Sequence, residues 1–350
     1  MILNILNITG KKRESYKVDV NYSLLWECAL GIAAITNSPL FDTLEKKSDF
    51  ERLKKVMPDE LLKALDYVEE NNTWKSLLQL LHAFGINSNG VEDFTKYVAA
   101  LSEEDLKYNC LPYLGDELQE SRRLAAKGVS HSVELMKQEA KENIFFPAYI
   151  DFIYQANVDE LKTHLIHVIS LWYETAIQPQ ANQLIAILKR DFEDKIRMKE
   201  KLTSEEFVPW ATGGTEYNPE PGVRRVLLIP QITYRPWTIV SDIEDTKVFY
   251  YPVPDENINP ADQYLPNYFL IQKHKALGDE VRLRMIKLLS ERDLTLNGIT
   301  EQLDIAKSTV HHHLKILRAS TLVGIKESKY YLKEQSLHAL SKELDLYLNK

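Results

Sequence analysis

"IAKSTVHHHLKIL", residues 305–317, sets His311, His312 and His313 side by side in a chain with nine histidines. A metal site comes to mind first, but a helix turns by about 100° per residue, so three consecutive side chains point in three directions and cannot close on one ion. On a helical wheel Val310, His313, Leu314 and Leu317 take the i, i+3, i+4, i+7 spacing of a buried stripe. The other side presents Ser308, His311, His312 and Lys315, with no acid, although the chain's formal net charge is -8. A face of this kind suits an anionic groove.

Working outward, "YFLIQKHKALGDEVRLRMIKLLSE" predicts a helix capped by Asp279, with Leu283, Ile286 and Leu289 on one face. "LNGITEQL" predicts a short helix and "DIA" a tight turn into the quoted segment. "LVGIKESKYYLK" reads as two brief strands around a charged turn. "SLHALSKELDLYL" closes as an amphipathic helix with Leu337, Leu340, Leu344 and Leu348 in line. Helix, helix, turn, helix, hairpin, helix is the order of a winged helix-turn-helix.

Three blocks, "KALGDEVRLRMIKLL", "ITEQLDIAKSTVHHHLKILRASTLV" and the wing strand "KYYL", resemble the winged-helix DNA-binding domain of the ArsR family of bacterial transcriptional regulators, over about a quarter of the chain. The resemblance implies that the second helix of the pair enters the major groove while the wing touches flanking backbone. It places Ser308, Thr309, His311 and His312 at base edges or phosphates, Lys307 and Lys315 at phosphates, and Lys326 and Lys329 beside the wing tip. His313 falls where the family has its usual histidine, on the core side, which implies packing and hydrogen bonding. This chain departs from the family in having Ala306 for a Ser cap, Thr321 for a frequent Gly, and His311 for a frequent Ser. "LTLNGITEQL" has no Cys, so a thiolate metal sensor of the familiar design is excluded from this domain.

The remainder is long and acidic. Residues 266–350 hold 14 Lys and Arg against 10 Asp and Glu, a balance of +4, which leaves -12 of the total on residues 1–265. Nucleic acid is therefore expected on the basic part alone. From about Tyr22 to Leu202 the pattern is helical, with Pro58 before Asp59 and Glu60 read as a first-turn proline and Thr73 before Trp74 as an N-cap. Val158 to Ile177 and Pro179 to Leu202, broken by "QPQ", are expected to form an antiparallel helical hairpin. "VPWATGGTEYNPEPG" reads as a loop, and the stretch to "FYYPVP" as two or three short strands whose Pro230 and Pro236 belong at edges or ends. The expected fold class is mainly α (α+β): a helical sensing or dimerising domain over 1–205, strands and linker over 206–266, and a winged helix-turn-helix over 267–350.

Only Cys28 and Cys110 are present, which excludes a disulfide framework and fits a reducing compartment. "MILNILNITGKKR" places charge after its apolar run, the reverse of a signal peptide, and is expected to be a strand or small amphipathic hook, with "GKKR" a solvated loop. No run approaches the roughly 20 apolar residues of a spanning helix. A cytoplasmic protein without membrane attachment or cofactor is expected. Trp26, Trp74, Trp172 and Tyr173 read as core. Glu160, His164, His167 and Glu174 share a helix stripe at spacings a metal can use, against the plainer reading of a polar edge beside Leu161, Leu165, Val168 and Trp172. No catalytic motif stands out.

The expected function is a regulator, a repressor by preference, bound to double-stranded DNA as a homodimer through the first and last helices of the winged helix, with a small-molecule or protein effector for the N-terminal part. The competing reading is a helical ligand-binding or metal-dependent enzyme whose winged helix docks protein.

Overall fold

The computed structural model describes residues 16–348 apart from 86–89, 201, 216, 263 and 267. The opening "MILNILNITGKKR", expected to be a strand or hook, lies outside the described residues. A strand that sequence patterning does not reveal, β1 (Lys17–Val20), leads into α1 (Leu24–Ile35). Ser23 caps α1 through the Leu25 N–H, and every residue from Leu25 to Ile35 is buried. A helix apolar on all sides belongs at the centre of a core. Around it lie α2 (Ser38–Phe41), α3 (Lys47–Lys54), α4 (Asp59–Asn71), α5 (Trp74–Phe84), α6 (Val91–Ala100), α7 (Glu103–Cys110), α8 (Gln119–Ala126), α9 (Ser130–Glu139), α10 (Phe146–Gln155) and α11 (Val158–Trp172). Trp26 and Trp172 are buried in this core, and Trp74 and Tyr173 pack on its margin.

The expected hairpin at "QPQ" does not form. Beyond α11 the chain passes through a π-helical turn, Tyr173–Ile177, and a 3-10 turn, Gln178–Gln180, straight into α12 (Ala181–Lys199). α11 packs on α1, α4 and α6, whereas α12 packs on the sheet and on α13 (Ser204–Ala211). Pro179 stands in the first turn of a new helical segment, where its missing N–H costs nothing and reversal is not required. The loop expected from Val208 likewise begins only after Ala211, because α13 accommodates Pro209.

The sheet has the order β1-β2-β4-β3, with β2 (Arg225–Gln231) parallel to both β1 and β4 (Thr246–Pro252), and β3 (Ile239–Ile243) antiparallel at the edge. Alternation sorts its residues by face. Leu227, Ile229, Val248 and Tyr250 join the helical core, while Val226, Leu228, Phe249 and Tyr251 face Phe207 and Val208 of α13. Burial on both faces explains the continuous apolar run of β2. Pro230 sits next to last in this inner strand, at its end as expected. β1 pairs only as far as Leu228, with the Asn21 N–H donating to the Leu228 carbonyl, so Pro230 lies past its end and has β4 as its one neighbour.

Thr73 does not cap α5 with its side chain; its hydroxyl meets Nε2 of His164 at 2.9 Å. His167 pairs with Glu60 at 3.1 Å. His164 and His167 of the stripe are thus engaged by Thr73 and Glu60, Glu160 and Glu174 are exposed, and no group of three ligating side chains suited to a metal occurs among the described residues. No helix of the described residues is long and apolar enough to cross a membrane. Cys28 and Cys110 are free and buried, and burial pushes the Cys110 thiol up to about 12.

After α14 (Asp255–Ile258) the chain builds a second core from α15 (Tyr268–Leu277), α16 (Glu280–Leu289), α17 (Leu296–Leu303), α18 (Lys307–Ala319) and α19 (Glu334–Leu348). A small antiparallel sheet, β5 (Leu294–Thr295), β7 (Lys329–Leu332) and β6 (Val323–Lys326), completes it in that spatial order. Asp279 caps α16 as expected, accepting from the Arg282 N–H. Leu283 is the exception on the expected apolar face: it is 49% exposed, and Met285 joins Ile286 and Leu289 in the core instead.

Burial leaves a pH signature. Desolvation, helped by the Lys75 charge, pushes the His82 imidazole down to about 3, and desolvation beside His167 pushes His164 down to about 4. Unfolded histidines protonate from about pH 6.5, so below that pH the unfolded chain binds more protons and stability falls by about 1.4 kcal/mol per pH unit for each such group. In urea unfolding, wild type should lose about 2 kcal/mol more than His82→Gln between pH 7 and pH 5. Parallel losses would show that His82 is not held neutral by the fold.

Candidate nucleic-acid interface

α18 follows α17 after a turn in which Asp304 takes a left-handed conformation, φ 53°. Val310, Leu314 and Leu317 are buried, and Lys307, Ser308, Thr309, His311, His312 and Lys315 are all exposed. At about 100° per residue Lys307, Ser308, His311, His312 and Lys315 fall within an arc of roughly 140°, while Thr309 lies about 60° beyond it, beside Ile316. The structure thus brings five of the six α18 candidates onto one face and sets Thr309 at its margin. Arg318, which the sequence reading passed over, is exposed on the same arc, one turn beyond Lys315. Its i+3 spacing from Lys315 and i+7 spacing from His311 were the available signal.

The N-terminus of α18 is open. Ala306 occupies the cap position without a side-chain hydrogen bond, and Thr309 and Val310 are the first residues whose N–H groups reach the Ala306 carbonyl. The N–H groups of the preceding turn therefore face outward beside Lys307 and Ser308, the arrangement that favours phosphate.

His313 is half-buried, as its core-side position implied. Its Nδ1 lies 3.4 Å from Nη1 of Arg282 and 3.9 Å from Oδ1 of Asp279. Arg282 also donates to the carbonyls of Ala276, at 2.6 Å, and Lys275, at 3.0 Å. One guanidinium thereby fastens α15, α16 and α18 together.

The wing is β6 and β7 joined by Glu327 and Ser328, whose φ values of 49° and 62° are those of a tight primed hairpin turn. Lys326 and Lys329 sit directly opposite each other across the strands, both exposed. Like charges in that register repel, and a polyanion alongside would relieve them. Gly324 pairs with Tyr331, whose ring covers it so closely that a Cβ would lie 2.2 Å from Cζ.

Thr321, between α18 and the wing, has φ 61°, so this β-branched residue holds the left-handed conformation that glycine usually fills. Its hydroxyl lies 3.3 Å from the Gly213 carbonyl and 3.2 Å from Ser336 Oγ. The departure from glycine adds a link to the rest of the chain.

Comparison with known proteins agrees with this geometry. The family model described as "Bacterial regulatory protein, arsR family" matches residues 279–323. Residues 279–323 are an ArsR-family helix-turn-helix domain. The transcriptional repressor SdpR of Bacillus subtilis (strain 168) is 34% identical to this chain over 50 residues, 14% of the chain and 56% of that protein. The similarity thus spans about half of the relative's length. No solved structure gives a significant match. The ArsR-family domain contains α16, α17 and α18 whole and ends at the first residue of β6; the helical region lies outside it.

The missing cap gives a stability test of the domain. Ala306→Ser should stabilise it by about 1 kcal/mol, read as a higher urea midpoint for unfolding of the winged helix. An unchanged or lower midpoint would mean that the α18 N-terminus does not end at Ala306.

Proposed function

We propose that the protein is a DNA-binding transcriptional regulator, a repressor by analogy with the SdpR similarity, which binds a two-fold operator as a homodimer and takes a signal through its N-terminal helical region. The observation that carries this reading is the outward face of α18, all hydroxyl, imidazole, ammonium and guanidinium, free of acid, and continuous with an open helix N-terminus. α18 lies in the major groove with His311 and His312 toward base edges. Lys307, Lys315 and Arg318 meet phosphates, and Lys326 and Lys329 reach flanking backbone from the wing.

Two copies related by a two-fold axis present their α18 helices to half-sites about 34–36 Å apart. The pairing surface falls to α15 and α19. Leu340 and Leu344 are only half-buried there and Leu348 is 67% exposed, which leaves an apolar stripe for a second copy. The acidic body keeps the polyanion off every other face.

Each phosphate contact contributes roughly 0.9 to the slope of log K against log salt. Lys315→Ala should weaken binding to operator and random duplex alike and flatten the slope by about that amount per lost contact, measured by fluorescence anisotropy across a salt series. His312→Ala should weaken operator binding more than random binding. An unchanged slope for Lys315→Ala, with equal losses for His312→Ala, would overturn the placement of α18 in the groove.

A further inference from the structure

The helical region contains a cavity of about 280 Å³, walled by α1, α3, the π-helical turn after α11, and the segment after β2. Its volume falls just under the roughly 300–1,000 Å³ of sites that hold drug-sized ligands, so it has room for a small molecule only. Phe50, Leu53, Ala176 and Ile177 give it an apolar lining. Into this lining the fold sets a few polar groups of definite character.

Glu27, 2% exposed, is engaged at both oxygens: one accepts from the Ile232 N–H at 2.7 Å and the other from the Thr233 hydroxyl at 2.6 Å. Two donors, by contrast, lack acceptors. The indole N–H of Trp172, in the wall and 1% exposed, has no hydrogen-bond partner. Lys46, half-buried beside the cavity, makes no ion pair within 4 Å among the described residues. An unpaired buried donor costs about 1–3 kcal/mol, and of these two groups Lys46 is the one open to an acceptor from outside the fold.

The wall is also built for this shape. A Cβ on Gly31 would lie 2.7 Å from the Trp172 ring, so glycine alone lets the indole lie flat on α1. The π-helical turn, a rare form that recurs at functional sites, carries Ala176 and Ile177 into the lining. Arg52 and Asp49 at the margin pair with each other, whereas Lys46 has no such partner within 4 Å among the described residues.

We propose that this cavity is the effector site, and that it takes a small monocarboxylate with an apolar body, its carboxylate on Lys46 and its body against Phe50, Leu53 and Ile177. The effector role rests on the regulator reading above; the binding site does not.

The test titrates the full-length protein, without DNA, with hexanoate and with benzoate by calorimetry, using hexan-1-ol as the uncharged control. One carboxylate per chain is expected. Lys46→Gln should weaken it at least tenfold, and Ala176→Leu, which intrudes on the cavity, should weaken it at least tenfold as well, with the far-ultraviolet circular dichroism of both variants unchanged. No uptake of either carboxylate, equal uptake by Lys46→Gln, or hexanol bound as tightly as hexanoate would overturn the site. A second arm repeats operator binding with the carboxylate present, where a change in affinity of at least fivefold is expected. Uptake with unaltered operator affinity would overturn the effector role alone, and uptake by a protein that binds no duplex would overturn the regulator reading while leaving the site in place.

Discussion

Val310, Leu314 and Leu317 fix the rotation of α18 about its own axis. Full burial of such side chains stabilises by about 1.5–3 kcal/mol each, so a helix turned to show them to water would lose several kcal/mol. The outward direction of Lys307, Ser308, His311, His312 and Lys315 is therefore a consequence of packing, settled before any duplex arrives. The triple attachment through Arg282 then sets the position of α18 relative to α15 and α16. Pre-set geometry matters here because a groove reader that must order itself on binding spends part of its contact energy doing so.

The winged helix was almost fully legible in the sequence because its signals are local. The Asp279 cap, the period of α18 and the charged turn of the wing all operate within a few residues. The exceptions have local causes as well. Leu283 was assigned to the core from spacing alone, yet a short helix buries only a narrow face, and Met285 fills the place instead. Thr309 belongs to the basic segment in sequence but stands off its arc in space, which a list of polar residues cannot reveal.

The helical region was legible only as helices. β1 is four residues long and finds its partner more than 200 positions away, so nothing near Lys17 announces it. Pro179 suggests the corner of a hairpin because a proline inside a helical pattern ordinarily breaks it, whereas a π turn and a 3-10 turn absorb it here. Thr73 has the right residue type for a cap, but its hydroxyl is claimed by His164 from across the core. The cavity had no sequence signal at all: Glu27, Lys46, Trp172 and Thr233 share no spacing, and only packing assembles them.

The helical core and the winged helix are linked through a thin sheet. On one face, Leu227 and Ile229 belong to the core around α1, and Glu27 holds the segment after β2 by two hydrogen bonds. On the other face, Val226 and Leu228 pack on α13, which leads within three residues to Gly213 and Gly214. Those two carbonyls meet Thr321, at 3.3 Å, and Lys333, at 3.4 Å, on either side of the wing. A β-branched residue held at positive φ has few alternative conformations, so Thr321 resists local bending and a displacement of Gly213 would move the end of α18 with it. Contact alone does not make a signal, however. A ligand in the helical core alters the wing only to the extent that it binds one arrangement of these joints more tightly than another, and the same free energy then returns as a change in ligand affinity when DNA is bound.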